Sequence, residues 1–424
     1  MSGAGEAPGN WAGNVVFQAV RLVRPGSTDE LCSLVAATEK VRAVGAGHSF
    51  SALADTTGTL VRLDRLPPLF DIDMPNRRVR VGAGQRYTDV VGALHAEGLA
   101  LANLASLPHV TVAGAVATGT HGSGDGLRNL AAAVVGLEIV TARGERVQLE
   151  AGSADLPGAV VSLGALGIVT HLDLRVEPAF EVAQGVRLAV PLDEVASSWD
   201  EVFGAAYSVS AFTSYVDGLA AVWLKRRADG RGSRTGWAGG RTAGAAVHPI
   251  PGFDPAACTP QLGVPGPWHA RLPHFRADHV PSAGHELQSE FFVARAQAPA
   301  ALEALRGIAS RLAPVLQISE LRTIQGDELW LSPAHGRDSV GFHFTWVKDM
   351  AAVRPVVAAV EEVLLPLGAR PHWGKVCTVD AAEVARRYPR IDDFAALVRR
   401  YDPDGTFANA YTTALLDAVG WRHG

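Results

Sequence analysis

The sequence has few cysteines and no long apolar run. Only Cys32, Cys258 and Cys377 occur among 424 residues, far apart and odd in number. This argues against a disulfide framework and a zinc cluster, and it is typical of a reducing compartment. No apolar run approaches the roughly 20 residues that a membrane span requires. The opening residues, MSGAGEAPGN, lack a basic segment followed by an apolar one, so we expect no secretory signal and a cytoplasmic protein.

The chain also has no excess of positive charge. The formal net charge is −5, and the sequence contains no block of Lys and Arg residues. We therefore expect neither a nucleic acid nor a membrane as partner. Hydrophobic residues make up 48% of the chain and charged residues 19%, which is a normal globular balance. A chain of 424 residues is too long for one ordinary core, so two domains are predicted.

Glycine, in contrast, is abundant. The 45 glycines are about one residue in nine, and many of them lie before residue 170. The average content of proteins is about 7%. A cofactor that the backbone approaches closely requires such a distribution, although exposed loops also produce it.

The stretch VRAVGAGHSFS, residues 41–51, is the first candidate site. A strand-like run, Val41 to Val44, ends in Gly45 and Gly47, and His48 follows directly. Uncovered N–H groups at such glycines form a nest that binds anions such as a pyrophosphate. No third glycine and no helix of the expected kind follow, so this is not the dinucleotide fingerprint. The alternative is a plain glycine-rich turn with a surface histidine.

A second glycine-rich stretch, NLASLPHVTVAGAVATGTHGSG, spans Asn103 to Gly124. It interleaves glycines with the hydroxyls of Ser106, Thr111 and Thr118. Hydroxyls and bare amides at this density suit hydrogen bonding to a polar ligand. No set of His, Cys and carboxylate ligands accompanies them, so no metal site is predicted.

Several local elements follow from the pattern around these stretches. Ser27 and Glu30 predict a capping box at the start of a helix. Gly98 is placed to end a helix that begins at Tyr87. The remaining predictions are a strand over Val79–Val81, a hairpin of Val134–Val140 with Arg146–Leu149, and a domain boundary near residue 178.

Three later segments place polar residues at i and i+2 within apolar strands. The pairs are Gln288 and Glu290 in LQSEFFV, Glu320 and Arg322 in LQISELRTI, and His343 and Thr345 in GFHFTWV. Such residues share one face of a strand, about 6.5–7 Å apart. We therefore expect Glu320 and Arg322 to hold a ligand between them rather than to neutralise each other, and a polyhydroxy compound suits this face. The alternatives are a solvated outer sheet face and, for His343, a structural histidine.

Taken together, these segments resemble the vanillyl-alcohol-oxidase class of flavoproteins, and within it the alditol (xylitol/sorbitol) oxidases. The resemblance runs from end to end, through GAGHSFS, SLGALGIV, GVPGPWHARLPHFR, ELQSEFF, HFTW, PHWGKV and DPDGTFANAY. It implies an α+β protein with two domains. Residues 1–178 form an FAD-binding domain of the PCMH type, residues 179–372 a substrate-binding cap built on an antiparallel sheet, and residues 373–424 a segment that returns to the FAD-binding domain.

The resemblance also implies the site residues. FAD is attached covalently through His48. Further contacts with the cofactor are assigned to Arg42, Val44, Gly45, Ala46, Gly47, Ser49, Ser106, Thr111, Gly114, Thr118, His121, Gly122, Ile168 and His372. The substrate-binding residues are Ser106, Gln288, Glu320, Arg322, Thr345 and Lys375. The catalytic residues are His343, Arg322, Lys375 and Glu320.

The reaction implied is oxidation of the terminal hydroxyl of an alditol to the aldose, with hydride transfer to the flavin and reduction of O2 to H2O2. His343 is interpreted as the base because histidine titrates near neutral pH. Arg322 and Lys375 stabilise charge on the substrate oxygen. The partners are a small polyol and O2, and we expect a monomer. The alternatives are an aldonolactone oxidase or dehydrogenase of the same fold, and a non-catalytic sugar-binding protein.

Overall fold

The computed structural model describes residues 9–279 and 284–420. The N-terminal region combines short strands with helices. Its strands are β1 (Arg21–Val23), β2 (Val41–Ala43), β3 (Thr59–Val61), β4 (Phe70–Asp73), β5 (Arg78–Gly82), β6 (Leu99–Ala100), β7 (Val134–Val140), β8 (Arg146–Glu150), β9 (Ile168–Arg175) and β10 (Glu177–Pro178). Its helices are α1 (Thr28–Ala36), α2 (Tyr87–Ala96), α3 (Val112–Ala117) and α4 (Leu156–Val160).

These strands form a parallel sheet in the order β1-β3-β2 and an antiparallel sheet in the order β4-β5-β9-β7-β8. The predicted hairpin is the pair β7 and β8. Gly98 has a φ of +70° and follows α2, as predicted. The capping box of α1 is only half formed. Ser27 accepts from the N–H of Glu30, but the Glu30 carboxylate accepts from the N–H of Gly26 instead of that of Ser27.

The middle of the chain forms a region of strands and helices around one nine-stranded sheet, here called the central sheet. Its strands are β11 (Glu181–Pro191), β12 (Ser208–Thr213), β13 (Leu219–Arg227), β14 (Arg241–Thr242), β15 (Pro265–Pro267), β16 (Glu286–Ala294), β17 (Leu316–Ile324), β18 (Ser339–Val347) and β19 (Arg370–Pro371). Its helices are α5 (Leu192–Ser197), α6 (Trp199–Phe203), α7 (Ala298–Gly307), α8 (Ala309–Leu312) and α9 (Met350–Leu364). The order is β14-β11-β13-β12-β17-β18-β16-β19, with β15 beside β11, and every pairing is antiparallel.

The chain ends in three helices, α10 (Ala381–Ala385), α11 (Ile391–Tyr401) and α12 (Ala410–Asp417). Their apolar side chains join the N-terminal core, whereas Phe342, Phe344 and Trp346 of β18 belong to a second core under the central sheet. The packing of these three helices against the N-terminal core fits the predicted C-terminal segment that returns to the FAD-binding domain. The boundaries at residues 178 and 372 stay a prediction.

Short 3-10 turns complete the fold, at Ala52–Ala54, Leu130–Ala133, Pro255–Ala257, Trp268–Ala270, Arg295–Gln297 and Leu365–Leu367. Over residues 9–279 and 284–420, no helix combines the length and the apolar character needed to cross a bilayer. The α+β class and the antiparallel central sheet predicted from the sequence are confirmed.

Candidate active site

A cavity of about 840 Å³ lies between the two cores. Loop 45–51 and residues 105–120 line it on the N-terminal side, and strands β16, β17 and β18 line it on the other. Ligand sites of proteins have volumes of about 300–1,000 Å³. The glycine-rich stretches and the polar strand faces, far apart in the sequence, therefore open onto one site.

Bare backbone forms the N-terminal wall. A Cβ on Gly45 would lie 2.1 Å from Thr111 Oγ1, and one on Gly114 would lie 2.7 Å from the same atom. Gly47 has a φ of +73°, where side chains are strained. Only glycine allows this close packing around Thr111, and it leaves bare backbone at the cavity wall, which fits a cofactor that lies against the backbone, as FAD would.

His48 lines this cavity rather than the outer surface. Its ring lies against Trp11, with 4.8 Å between the ring centroids. Burial, assisted by the positive charges of Lys375, His109 and Arg86, lowers the pKa of His48 to about 4. The imidazole is therefore neutral at neutral pH. The sequence did not indicate Trp11, because this residue lies outside the motif of residues 41–51.

Arg42, predicted to contact the cofactor, also supports the backbone around the cradle. Its guanidinium Nη atoms donate to four backbone carbonyls, those of Gly164, Phe407, Leu53 and Leu163, at 2.5–3.0 Å. Arg42 reaches the cavity lining, but these donors are already engaged. It therefore braces three loops around the cradle instead of offering its Nη groups to a ligand.

Two other predicted cofactor residues lie outside the cavity lining. A Cβ on Gly122 would meet Asn103 Oδ1 at 2.1 Å, so this glycine serves the packing of two backbone segments. Ile168 is buried and pairs with Val140 in the antiparallel sheet. The remaining predicted cofactor residues line the cavity: Val44, Gly45, Ala46, Gly47, His48, Ser49, Ser106, Thr111, Gly114, Thr118, His121 and His372.

Glu290 is the buried centre of the polar sheet face. Arg322 Nη2 donates to its Oε1 at 2.8 Å, and His121 Nε2 lies 3.0 Å from the same oxygen. Arg322 also donates to Ser106 Oγ at 3.2 Å. Burial alone would raise the pKa of Glu290, but His121 and Arg322 outweigh it and hold the pKa well below its usual range. The sequence placed Glu290 beside Gln288 without assigning it to the site.

The expectation that Glu320 and Arg322 stay apart is wrong. Arg322 Nε lies 3.6 Å from Glu320 Oε1, because the long arginine side chain folds back along its own strand. Glu320 Oε1 is also 2.7 Å from Nε2 of His274, a residue of the motif GVPGPWHARLPHFR to which the sequence analysis assigned no role. His343 pairs across the sheet with both Glu320 and Glu290, so it lies between two carboxylates.

The contacts of His343 determine its tautomer. The side-chain nitrogen of Gln288 donates to the Glu286 carboxylate. The amide oxygen of Gln288 therefore faces two other groups. Lys375 donates to this oxygen, and His343 Nε2 lies 3.1 Å from it. A carboxylate only accepts, which fixes the orientation of the amide. His343 Nε2 therefore bears the proton, and Nδ1, with no hydrogen bond to the described residues, holds the lone pair.

The prediction that His343 titrates near neutral pH is wrong. Burial, together with the charges of Lys375 and Arg322, lowers the pKa of His343 to about 3, although Glu290 and Glu320 act in the opposite direction. Burial likewise lowers the pKa of Lys375 to about 8. The alternative of a solvated outer sheet face is also wrong, because Glu320, Arg322, His343 and Thr345 are each at most 8% exposed.

The described part of the chain contains no group of three or more His, Cys, Asp or Glu side chains arranged to hold a metal ion. The polar face instead presents a cation pair, Arg322 and Lys375, three carboxylates and the neutral imidazole of His343 to one cavity. Such a set can bind hydroxyl groups and accept a proton from one of them.

Comparisons with known proteins agree with this site. A family model for an FAD-binding domain matches residues 19–150, and one for D-arabinono-1,4-lactone oxidase matches residues 285–415. The chain is 51% identical to an alditol oxidase of Streptomyces sp., over 96% of this chain and 98% of that one. It is 31% identical to L-gulono-1,4-lactone dehydrogenase of Mycobacterium tuberculosis, over 96% and 98%.

Among solved structures, cholesterol oxidase from B. sterolicum superposes with a TM-score of 0.78 over 97% of this chain and 96% of that one. At 13% identity, this likeness shows the fold alone. Identity at half of all positions along nearly the whole chain is a much stronger relationship. The chain therefore belongs to the alditol oxidase family, FAD-binding flavoproteins of the vanillyl-alcohol-oxidase class.

Proposed function

We propose that this protein oxidises the terminal hydroxyl of an alditol, such as xylitol or sorbitol, to the aldose and reduces O2 to H2O2. The observation that carries the proposal is the buried face of Glu320, Arg322, His343 and Lys375, which opens onto the same cavity as the glycine cradle. The relative of 51% identity is an alditol oxidase, which supports the same substrate class.

FAD, when bound, supplies the hydride acceptor and passes the electrons to O2. Gly45, Gly47, Thr111 and Gly114 would hold it by the bare backbone of the cradle. We infer that His48 forms the covalent link. A neutral imidazole at the end of the cradle has the lone pair that such a bond requires.

The substrate hydroxyl gives its proton to Nδ1 of His343, which the Gln288 amide keeps turned toward the cavity. A histidine whose pKa is about 3 is unprotonated at neutral pH but is a weak base. Arg322 and Lys375 compensate, because two cations beside the hydroxyl stabilise the alkoxide as it forms. The remaining hydroxyls are bound by four polar residues that line the same cavity: Ser106, Gln288, Glu320 and Thr345.

The protein as a whole is proposed to act as a cytoplasmic monomer, with the FAD-binding domain, cap and returning segment bounded at residues 178 and 372. Three free cysteines, one of them buried, are compatible with a reducing compartment. Light scattering of the purified holoprotein measures the mass of the particle. A mass near twice 44.5 kDa would contradict the monomer.

The test is peroxide release in air with xylitol, run beside L-gulono-1,4-lactone. We expect peroxide with xylitol and little with the lactone. Peroxide with the lactone alone would move the protein to the aldonolactone oxidases. A yellow protein that xylitol bleaches even in air, and that forms no peroxide, would be a dehydrogenase. A colourless protein inert to both compounds, even after reconstitution with FAD, would contradict the proposal.

A further inference from the structure

A buried polar chain runs from Glu320 at the cavity wall into the interior, and its far end, Lys225, lies outside the cavity lining. Its first member is His274, whose Nε2 is 2.7 Å from Glu320 Oε1. The ring is held edge-on by two aromatic side chains, with centroid distances of 5.5 Å to Phe212 and 5.3 Å to Trp223. The imidazole is therefore fixed in position, and only its proton can be exchanged between its two nitrogens.

Lys225 is the second member of this chain. It lies on β13 and is 1% exposed, which is rare for a lysine. Its ammonium contacts three acceptors: the carbonyl of Leu272, the carbonyl of Pro273 at 3.1 Å, and Nδ1 of His274 at 3.1 Å. An ammonium has three N–H donors and no acceptor. The three contacts use all of them, and each partner must accept.

This geometry determines the proton on His274. Because Lys225 donates to Nδ1, that nitrogen holds the lone pair and Nε2 bears the hydrogen. Nε2 then donates to Glu320, whose carboxylate only accepts. Ser210 Oγ is the other polar atom near Nε2, at 3.5 Å, and it is too distant to compete with the bond of 2.7 Å.

We propose that Lys225 is a positioning residue for substrate binding: by donating to His274 it selects the imidazole tautomer that holds the Glu320 carboxylate toward the cavity. The inference rests on the proposed function in one respect, the binding of a polyol hydroxyl by Glu320. Lys225 itself does not line the cavity, so it acts through His274.

Burial lowers the pKa of Lys225 to about 7, although Glu320 acts in the opposite direction, so the ammonium with three donors is the main form below that pH. Burial, followed by the charge of Lys225, lowers the pKa of His274 to about 4, so the ring stays neutral and has a single proton to place. Burial alone would raise the pKa of Glu320, but Arg322 and His274 outweigh it and keep the carboxylate ionised. Without Lys225, the proton of His274 can move to Nδ1, and a lone pair would then face the carboxylate.

Lys225→Met tests the proposal, because methionine fills a similar volume without a donor. Anaerobic stopped-flow mixing of the holoenzyme with xylitol separates the dissociation constant of the polyol from the rate of flavin bleaching. We expect the dissociation constant to rise about tenfold, the scale of a lost hydrogen bond to a charged group. The bleaching rate should change much less, since His343, Arg322 and Lys375 remain in place.

A matched background distinguishes tautomer selection from packing. In His274→Gln, an amide can donate to Glu320 and cannot tautomerise. Adding Lys225→Met to that variant should leave xylitol affinity within about twofold. Equal weakening in both backgrounds, or no weakening in the wild-type background, would overturn the proposal. Wild-type enzyme that neither binds nor oxidises xylitol would instead count against the proposed function.

A neutron structure of the wild-type holoenzyme makes the test independent of variants that fail to fold. Below the Lys225 pKa of about 7, we expect deuterium on Nε2 of His274, three deuterons on Lys225, and none on Nδ1 of His274. Deuterium on Nδ1 would overturn the proposal whatever the kinetics of the variants.

Discussion

The His48 imidazole lines the cavity beyond the glycine cradle, and burial keeps it neutral by lowering its pKa to about 4. Replacement by alanine removes the nitrogen needed for a covalent bond but leaves the cradle intact. We expect the His48→Ala protein to release its flavin into the supernatant on acid precipitation, whereas the parent protein keeps it in the pellet. His95→Ala, on α2 and away from the cavity, is the control and should retain the flavin. Retention by His48→Ala would contradict the linkage.

His343 offers the lone pair of Nδ1 to the cavity, since its Nε2 is bound to the Gln288 amide. Loss of a positioned base costs about 10²–10⁴ in rate. His343→Ala should therefore lower turnover with xylitol by at least about 100-fold while the flavin content per chain, measured from the absorbance, stays unchanged. Turnover within a factor of three of the parent would assign the base elsewhere. His335→Ala, outside the cavity lining, serves as the matched variant.

Lys375 determines the expected alkaline limit of the reaction. Burial lowers its pKa to about 8, although Glu290 acts in the opposite direction. The ammonium is charged below that pH and neutral above it, so stabilisation of the alkoxide is lost as the pH rises. We expect kcat/KM to fall above about pH 8, a profile that reports the free enzyme.

Lys375→Arg separates this titration from other causes, because a guanidinium stays charged. The alkaline fall should move to higher pH in that variant, even if its overall rate is lower. Lys348→Arg, outside the cavity lining, should keep the parent profile. An unchanged fall in Lys375→Arg would show that another group titrates.

The loop after β2 depends on close contact between the backbone at Gly45 and the side chain of Thr111. A Cβ on Gly45 would lie 2.1 Å from Thr111 Oγ1, a distance that forces one segment to move. Overpacking of this kind costs about 1–3 kcal/mol. Gly45→Ala should therefore lower the flavin content of the purified protein, and adding Thr111→Ala should restore part of it. Gly92→Ala on α2, where a Cβ meets nothing within 4 Å, should keep full flavin content. Full flavin content in Gly45→Ala would contradict the cradle.

The strands of the site could be predicted because their pattern is local. Polar residues at i and i+2 placed Gln288, Glu320, Arg322, His343 and Thr345 on one face of three strands, and all five line the cavity. The partners of these residues could not be predicted in this way. His274 lies in a loop without a periodic pattern, and its distance of 2.7 Å from Glu320 depends on the packing of that loop against the sheet.

The same limit holds for the chemistry of single groups. The sequence identified His343 as a titratable residue, but its pKa of about 3 depends on burial and on cations from two other segments, Arg322 and Lys375. The tautomer likewise depends on Glu286, which fixes the Gln288 amide. Residue type and strand register follow from the sequence, whereas protonation follows from the assembled cavity.

At the scale of the whole molecule, ion pairs connect the two regions that enclose the cavity. Asp125 belongs to the N-terminal region, and its side chain is only 7% exposed. Arg295, just after β16, donates to both of its oxygens, at 2.6 and 3.0 Å, and also contacts Asp200. Arg234 contacts Asp125 as well, but its side chain is 58% exposed. Arg295 therefore provides the better shielded part of this connection.

Arg295→Met should destabilise the folded protein more than the loss of a surface ion pair. It leaves a nearly buried carboxylate with one exposed partner, at an expected cost of about 1.5–3 kcal/mol. Arg311→Met is the control, because its bond to Glu362 is 3.4 Å long between side chains that are 54% and 67% exposed. Such surface pairs contribute about 0–1 kcal/mol. The measurement is urea unfolding of the flavin-loaded proteins, followed by tryptophan fluorescence. Equal losses in the two variants would mean that the Asp125 pair does not hold the two regions together.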